Sequence, residues 1–301
     1  MSAQLGRVMF EVIGPIALMT AAGYLLRRAL VLDIRSISRV VFYILAPCLV
    51  YTSILNLDFD PATTSRSLIF AAIYMAAMTL LALGLSRRYN GPLSSAFVLV
   101  IILLNNGNYG LPLNLFAFGE EGFGYALILY MFNSLVGSTI SIYLAARGQH
   151  GGRLALRRTL ATPIIWAMLA AFVSRQLDWR PNGSFFEMLT MAGKAAIPIF
   201  LIVLGMALTE TQVRLGRNPI TRATLVRMLA GPAIAIALAR LVGLQGVAFA
   251  VAVLQGAMPT AVNSIVISNE FETAPDFVAG AVLLTTLVSL ITLPGLLIWL
   301  L

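Results

Sequence analysis

The sequence predicts an all-α integral membrane protein whose ten transmembrane helices form two inverted five-helix repeats. The first supporting observation is composition: of the 301 residues, 59% are hydrophobic and 11% are charged, with a mean hydropathy of +0.92. Soluble globular domains carry about 25% charged residues. The second observation is a series of apolar runs of membrane-spanning length, and the third is a motif that recurs at a nearly constant interval.

Composition also excludes several kinds of site. A single cysteine, Cys48, leaves no intrachain disulfide and no thiolate metal cluster, and a single histidine, His150, leaves no histidine-rich metal site or proton relay. The net charge of +8 comes mainly from arginines that flank apolar runs. We therefore interpret the charge as a topology signal and expect neither a nucleic-acid partner nor a cofactor.

About 20 apolar residues cross the hydrocarbon core as one helix. The chain contains about ten such runs, each closed by charges, Gly, Pro or Asn. The predicted spans lie near residues 8–27, 36–55, 67–86, 94–116, 122–146, 160–177, 189–209, 222–242, 246–268 and 276–301.

The distribution of basic residues predicts the orientation. Loops after spans 1, 3, 5 and 7 carry thirteen Lys and Arg residues and the opposite face carries six, with Arg227 left out because it lies inside span 8. Cytoplasmic loops are enriched in these residues. We expect a multi-pass protein of the plasma (inner) membrane with both termini outside the cytoplasm.

Matching segments about 150 residues apart indicate an internal repeat. Pro47 and Pro198 are 151 residues apart, and Pro112 and Pro259 are 147 apart. The halves 1–150 and 151–301 each hold five spans, an odd number, so they enter the membrane in opposite orientations. Inverted repeats are typical of secondary transporters, with the substrate near the bilayer midplane. Chance matching of apolar, proline-containing text is the alternative.

Spans 4 and 9 contain residues that interrupt a helix. Residues 105–114 hold four Asn, two Gly and one Pro, which predicts a helix that ends near Asn106, an unwound segment, and a second half-helix from Leu111. Gly256 and Pro259 interrupt span 9 in the same way. Non-helical backbone at this depth lines a cavity or is covered by protein. We expect the two broken helices to cross.

Such a crossing suits an anion, because the N-terminal ends of half-helices carry unpaired N–H groups and partial positive charge. Amide side chains add donors for a carboxylate, and a tyrosine can pack on a ring or chain. The predicted substrate-binding residues are Asn105, Asn108, Tyr109, Gly110, Pro112, Gln255, Pro259, Thr260, Asn263, Tyr51 and Asn133. The alternative is that the Asn side chains only satisfy freed backbone groups and join the helices.

The segment NNGNYGLPL places Asn105, Gly107, Gly110 and Pro112 on an Asn-Thr-Gly-x-x-Gly-x-Pro pattern. With it and the segment from Gln255 to Pro294, nearly the whole chain resembles the auxin efflux carrier family, which includes plant auxin carriers and bacterial organic-acid permeases. The wider superfamily also contains bile-acid sodium symporters. Plant carriers often have Gln where Thr260 stands, which puts auxin itself in question.

The resemblance implies a panel domain of helices 1, 2, 6 and 7, a crossover domain of helices 3–5 and 8–10, an elevator motion, and a homodimer formed through the panel. Bile-acid relatives bind sodium with Glu and Gln on helix 9, but here no acid lies at that depth. A sodium ion would find oxygens only at Gln255, Asn106 and Asn133.

The residues predict a carrier of small organic anions with efflux driven by the membrane potential, and the resemblance implies auxin-like monocarboxylates or malate-like and malonate-like dicarboxylates as the substrates. A sodium-coupled or proton-coupled symporter of the same fold and an anion channel are the alternatives, and a structural or receptor role also stays open. An enzyme is not expected, because the sequence has no zinc-binding HExxH pair and no serine with a usable histidine.

Overall fold

The computed structural model describes residues 6, 8–58, 60–145, 157, 160–209 and 218–301, which form helices and the loops that connect them. Within these ranges there is no strand, only an isolated bridge between Leu104 and Thr260. Seven described helical segments are long and apolar enough to cross a membrane. The predicted all-helical membrane class is confirmed, as expected where backbone groups must bond within their own segment.

We number the described helices in chain order. They are α1 Val8–Ala29, α2 Ile34–Asn56, α3 Pro61–Ser86, α4 Pro92–Ile102, α5 Asn106–Leu144, α6 Pro163–Gln176, α7 Gly183–Ala207, α8 Pro219–Leu241, α9 Gly246–Gly256, α10 Asn263–Glu270 and α11 Pro275–Leu300. Of these, α4, α6, α9 and α10 are shorter than a full span.

Helix α5 bends at Gly119, which has a φ of 64°. Few residues other than glycine adopt this left-handed region without strain. The bend separates residues 106–118 from the rest of α5, and it falls between the predicted spans 4 and 5. The 39-residue helix therefore corresponds to the second half of span 4 followed by span 5.

Two aspartates cap helices outside the apolar spans. Asp33 accepts hydrogen bonds from the backbone N–H groups of Arg35 and Ser36 at the start of α2, and Asp60 accepts one from Thr63 at the start of α3. The pKa of Asp33 is lowered, chiefly because the Ser36 side chain bonds its carboxylate. These contacts satisfy N–H groups that lack a partner within the helix.

Arginines cap the other end of α2. Arg175 donates to the carbonyl oxygens of Ile54 at 2.9 Å and Leu57 at 2.7 Å, and Arg180 donates to Leu55 at 2.5 Å. A helix C-terminus carries partial negative charge, so a cation stabilises it. These contacts join the end of α2 to α6 and the loop that follows it.

Helices α1, α2, α6 and α7 pack on one another. The closest approach is between α1 and α7, where a methyl group on Gly23 would collide with the Ile202 carbonyl and one on Gly205 would collide with Thr20. Small residues let helix backbones come together in a bilayer, where apolar lipid provides no hydrophobic drive for association. The two glycines thus determine how near α1 and α7 can lie.

Helices α3, α4, α5, α8, α9 and α11 form a second packed group. Helix α9 lies against α5 and α8, and α4 lies against α3 and α11. The ends of α4 and α9 are buried inside this group.

We expect Gly205→Ala to destabilise the protein, because the added methyl group would force α1 away from α7. Overpacking of this kind typically costs about 1–3 kcal/mol. The measurement is the thermal unfolding midpoint in detergent, which should fall. Gly295→Ala is the matched control, because a methyl group there meets nothing within 4 Å. Equal midpoints for the two variants would contradict the close α1–α7 contact.

Candidate functional site

The break in span 4 lies earlier than the sequence predicts. Helix α4 ends at Ile102, residues 103–105 are not helical, and Asn106–Gly110, expected to be unwound, forms a π-helical turn that leads into the rest of α5. The expected helix end near Asn106 was therefore wrong. The wider turn ends just before Pro112, which has no N–H to donate and crowds the preceding turn of a regular α-helix.

Span 9 breaks where predicted, since α9 ends at Gly256 and α10 begins at Asn263. The two non-helical segments, 103–105 and 257–262, run antiparallel and pair through their backbones. The Asn105 N–H donates to the Pro259 carbonyl and the Ala261 N–H donates to the Leu103 carbonyl, each at 2.9 Å. We call this pairing the crossing. It satisfies backbone groups at a depth where water is excluded.

Thr260 ties the crossing to neighbouring helices. Its hydroxyl donates to the Val100 carbonyl at 2.7 Å, and its N–H donates to the Thr285 hydroxyl at 3.2 Å. Thr260 is fully buried. Thr260 is a predicted substrate-binding residue, but its hydroxyl proton is already used in a hydrogen bond to the last turn of α4.

A small cavity of about 20 Å³ lies beside the crossing, room for about one water. Its walls come from α3, α5, the end of α9 and the non-helical segment after α4. The lining residues are Phe70, Ala71, Tyr74, Met75, Leu104, Asn106, Leu129, Phe132, Asn133, Gln255 and Gly256. Three amides singled out from the sequence, Asn106, Asn133 and Gln255, therefore share one cavity.

These three amides each keep an oxygen without a hydrogen-bond partner among the described residues: Asn106 Oδ1, Asn133 Oδ1 and Gln255 Oε1. Two of the amide nitrogens are bonded, from Asn133 to the Leu104 carbonyl at 3.4 Å and from Gln255 to the Ala126 carbonyl at 3.2 Å. A buried polar atom without a partner costs about 1–3 kcal/mol. The cavity is therefore suited to a water molecule or a small cation.

Asn105 contributes an unpaired donor to the same region. Its side-chain Nδ2 is buried without a partner among the described residues, whereas its backbone N–H donates to Pro259 in the crossing and its carbonyl accepts from Tyr109 and Gly110. A free amide N–H suits a carboxylate oxygen. Asn105 therefore offers a donor next to the crossing, although it does not line the cavity.

Two glycines allow side chains to approach the π-helical turn closely. A methyl group on Gly107 would meet the Tyr130 ring, and one on Gly110 would collide with the Gln255 amide. The absence of a side chain at Gly110 therefore lets Gln255 lie against the start of α5.

The other predicted site residues are distributed unevenly. Asn108, Tyr109 and Pro112 are buried on α5 but do not line the cavity, and Pro259 acts through its carbonyl. Two more lie away from the cavity: the Tyr51 hydroxyl bonds the Ser174 hydroxyl at 3.0 Å between α2 and α6, and Asn263 is exposed at the start of α10.

Sequence reasoning missed Arg227, which is fully buried on α8. Its guanidinium bonds the carbonyls of Ile101, Gly256 and Met258 and the hydroxyl of Tyr74. The signal that could have found it is an ionisable residue in the middle of an apolar span, a common mark of function in membrane proteins.

Comparison with known proteins matches the chain along almost its entire length. A family model described as a membrane transport protein matches residues 8–297. The chain is also similar to a protein of Methanothermobacter thermautotrophicus described as an uncharacterized transporter, with 27% identity over 296 residues that cover 94% of this chain and 96% of the relative. The predicted resemblance to the auxin efflux carrier family is confirmed.

Thr260→Val should lower the thermal unfolding midpoint in detergent, because the Val100 carbonyl would lose its hydroxyl partner at nearly constant side-chain volume. An unpaired buried acceptor costs about 1–3 kcal/mol. Thr190→Val is the control, since the Thr190 hydroxyl bonds a carbonyl of its own helix. Thr260→Ser keeps the hydroxyl and loses only a buried methyl group, so it should lower the midpoint less than Thr260→Val does. A valine variant as stable as the wild-type protein would remove the structural role of this hydroxyl.

Proposed function

The chain belongs to the membrane transport protein family of auxin efflux carriers, and we propose that it is a carrier of small organic anions that works by alternating access. The substrates are auxin-like monocarboxylates or malate-like and malonate-like dicarboxylates. The observation that carries the proposal is the crossing, where two broken helices pair within the membrane-spanning part of the chain beside the buried, unpaired amide nitrogen of Asn105.

The half-helix ends account for anion binding. Helices α5 and α10 both begin next to the crossing, and each N-terminal end carries about half an elementary positive charge. Together with the free Nδ2 of Asn105 they give a carboxylate favourable partners without a lysine or arginine in direct contact.

The same proposal includes the ten-span inverted repeat, with both termini outside the cytoplasm. The breaks of spans 4 and 9 and their antiparallel pairing support two related halves. The packing of α1, α2, α6 and α7 as one group supports a panel domain, against which the crossover group moves in an elevator motion. The panel also provides the homodimer contact.

The membrane potential is the proposed driving force for efflux. Every Asp and Glu side chain that the structure describes is exposed, and none lines the cavity beside the crossing, so no described acidic group is placed there to couple a proton to the substrate. Moving one negative charge outward gains about 2.3 kcal/mol per 100 mV, about fiftyfold accumulation.

We expect proteoliposomes to transport malate or indole-3-acetate at a rate that increases with an imposed potential of the favourable sign. The measurement is radiolabelled flux with potassium and valinomycin setting the potential. Flux that saturates and is stimulated by unlabelled substrate on the opposite side identifies a carrier. Linear flux without such stimulation would indicate a channel and overturn the proposal.

Sodium-coupled symport is a second candidate, because one observation favours it. The unpaired oxygens of Asn106, Asn133 and Gln255 border the same small cavity, and oxygens near broken helices bind sodium in other transporters. Replacing sodium with N-methyl-D-glucamine in the flux assay separates the candidates: loss of transport indicates coupling, and unchanged transport supports electrogenic efflux.

Asn105→Ala should weaken substrate binding at least about tenfold, because a hydrogen bond to a charged ligand contributes about 1.5–3 kcal/mol. The measurement is Kd from equilibrium binding of radiolabelled malate or indole-3-acetate, whichever the wild-type protein transports. Asn90→Ala, at an exposed position between α3 and α4, is the control for folding. Unchanged affinity in Asn105→Ala would remove the central assignment of the site.

A further inference from the structure

The guanidinium of Arg227 lies where two half-helices end. Its Nη1 donates to the Ile101 carbonyl at 3.1 Å, in the last turn of α4. Its Nε donates to the Met258 carbonyl at 3.0 Å and its Nη2 to the Gly256 carbonyl, at and just beyond the end of α9. One side chain of α8 therefore caps the broken helices of both halves.

These contacts have an electrostatic meaning. The C-terminal end of a helix carries about half an elementary negative charge, so the ends of α4 and α9 together carry about one. The guanidinium carries one positive charge. Carbonyl oxygens and the Tyr74 hydroxyl, at 2.9 Å from Nη2, surround it, and the described carboxylates are all exposed. The helix ends are thus its counter-charge.

We propose that Arg227 is the resident counter-cation of the crossing and sets its specificity for anions. The inference rests on the proposed function as an anion carrier and deepens it. Arg227 cancels the two negative helix ends, so the positive ends of α5 and α10 dominate the potential at the site. With a neutral residue at this position, the four helix ends would nearly cancel, and the crossing would lose its preference for negative charge.

Arg227 acts without touching the substrate. Four of the five N–H donors of a guanidinium are used by the three carbonyls and the Tyr74 hydroxyl. The side chain has no exposed surface. It is therefore a positioning residue whose charge reaches the substrate through the electrostatic potential.

The local backbone is shaped around this side chain. Arg227 lies in a π-helical turn, Val226–Ala230, an irregularity found frequently at functional sites. A methyl group on the following Gly231 would stand 2.9 Å from Nη2 of Arg227 and 3.0 Å from the Gly256 carbonyl. A larger residue at Gly231 would push the guanidinium away from the helix ends.

The test compares charge-retaining and charge-removing variants. Arg227→Lys and Arg227→Gln are measured for Kd with the carboxylate that the wild-type protein transports, malate or indole-3-acetate, and with its uncharged amide. We expect Arg227→Gln to weaken carboxylate binding at least about tenfold and amide binding less than about threefold, and Arg227→Lys to stay within about threefold for both. Arg240→Gln, an exposed arginine on the same helix, is the control and should change neither.

Equal losses for the carboxylate and the amide, or equal losses in the lysine and glutamine variants, would overturn the proposal, because the role would then be packing and not charge.

A second measurement does not depend on substrate. In Arg227→Ala, purified in the presence of guanidinium ion, millimolar guanidinium should raise the thermal unfolding midpoint more than it does in the wild-type protein, and sodium or tetramethylammonium should not. Failure of guanidinium to stabilise the variant would overturn the proposal that Arg227 is the counter-cation of the helix ends. If guanidinium stabilises the variant but the wild-type protein transports neither carboxylate, the proposed function fails and the assignment of Arg227 to the helix ends stands.

Discussion

Backbone hydrogen bonding without water is the constraint on which the rest of this structure depends. Each broken helix leaves N–H and C=O groups unpaired inside the bilayer, where every such group costs several kcal/mol. The crossing resolves this by pairing segments 103–105 and 257–262 with each other. Neither broken helix is stable at this depth alone, so the two halves of the chain depend on one another.

Side chains complete what the backbone pairing leaves open. The Thr260 hydroxyl bonds one carbonyl at the end of α4, and Arg227 bonds another there and two at the end of α9. Arginines also bond the carbonyls at the C-terminal end of α2, where Arg175 and Arg180 donate. The difference is position, because Arg227 is fully buried and lies beside the crossing. Its charge therefore acts with little screening on whatever binds there.

Some parts of the site were predictable and others were not. The break in span 9 was predictable, because Gly256 and Pro259 interrupt a helix at their own positions in the chain. The break in span 4 was displaced, since a π-helical turn accommodates Pro112 and moves the non-helical segment to residues 103–105. In the sequence, Asn106, Asn133 and Gln255 are three separate polar positions. In the structure they line one cavity. Tyr51 and Asn263 have suitable side chains but lie away from the cavity. Residue type alone could not predict this, because it does not determine which way a helix face is turned.

The sequence by itself determined the membrane class, the family and the two helices that must break, because hydropathy, proline and glycine act within a few residues. The three-dimensional arrangement decided which oxygens stay unpaired and which groups receive the charge of Arg227. In the sequence this arginine is one charge inside an apolar span. In the structure it lies between the ends of two helices whose residues are 126 and about 30 positions away. Contacts over such separations follow from how the helices pack, which no local pattern encodes.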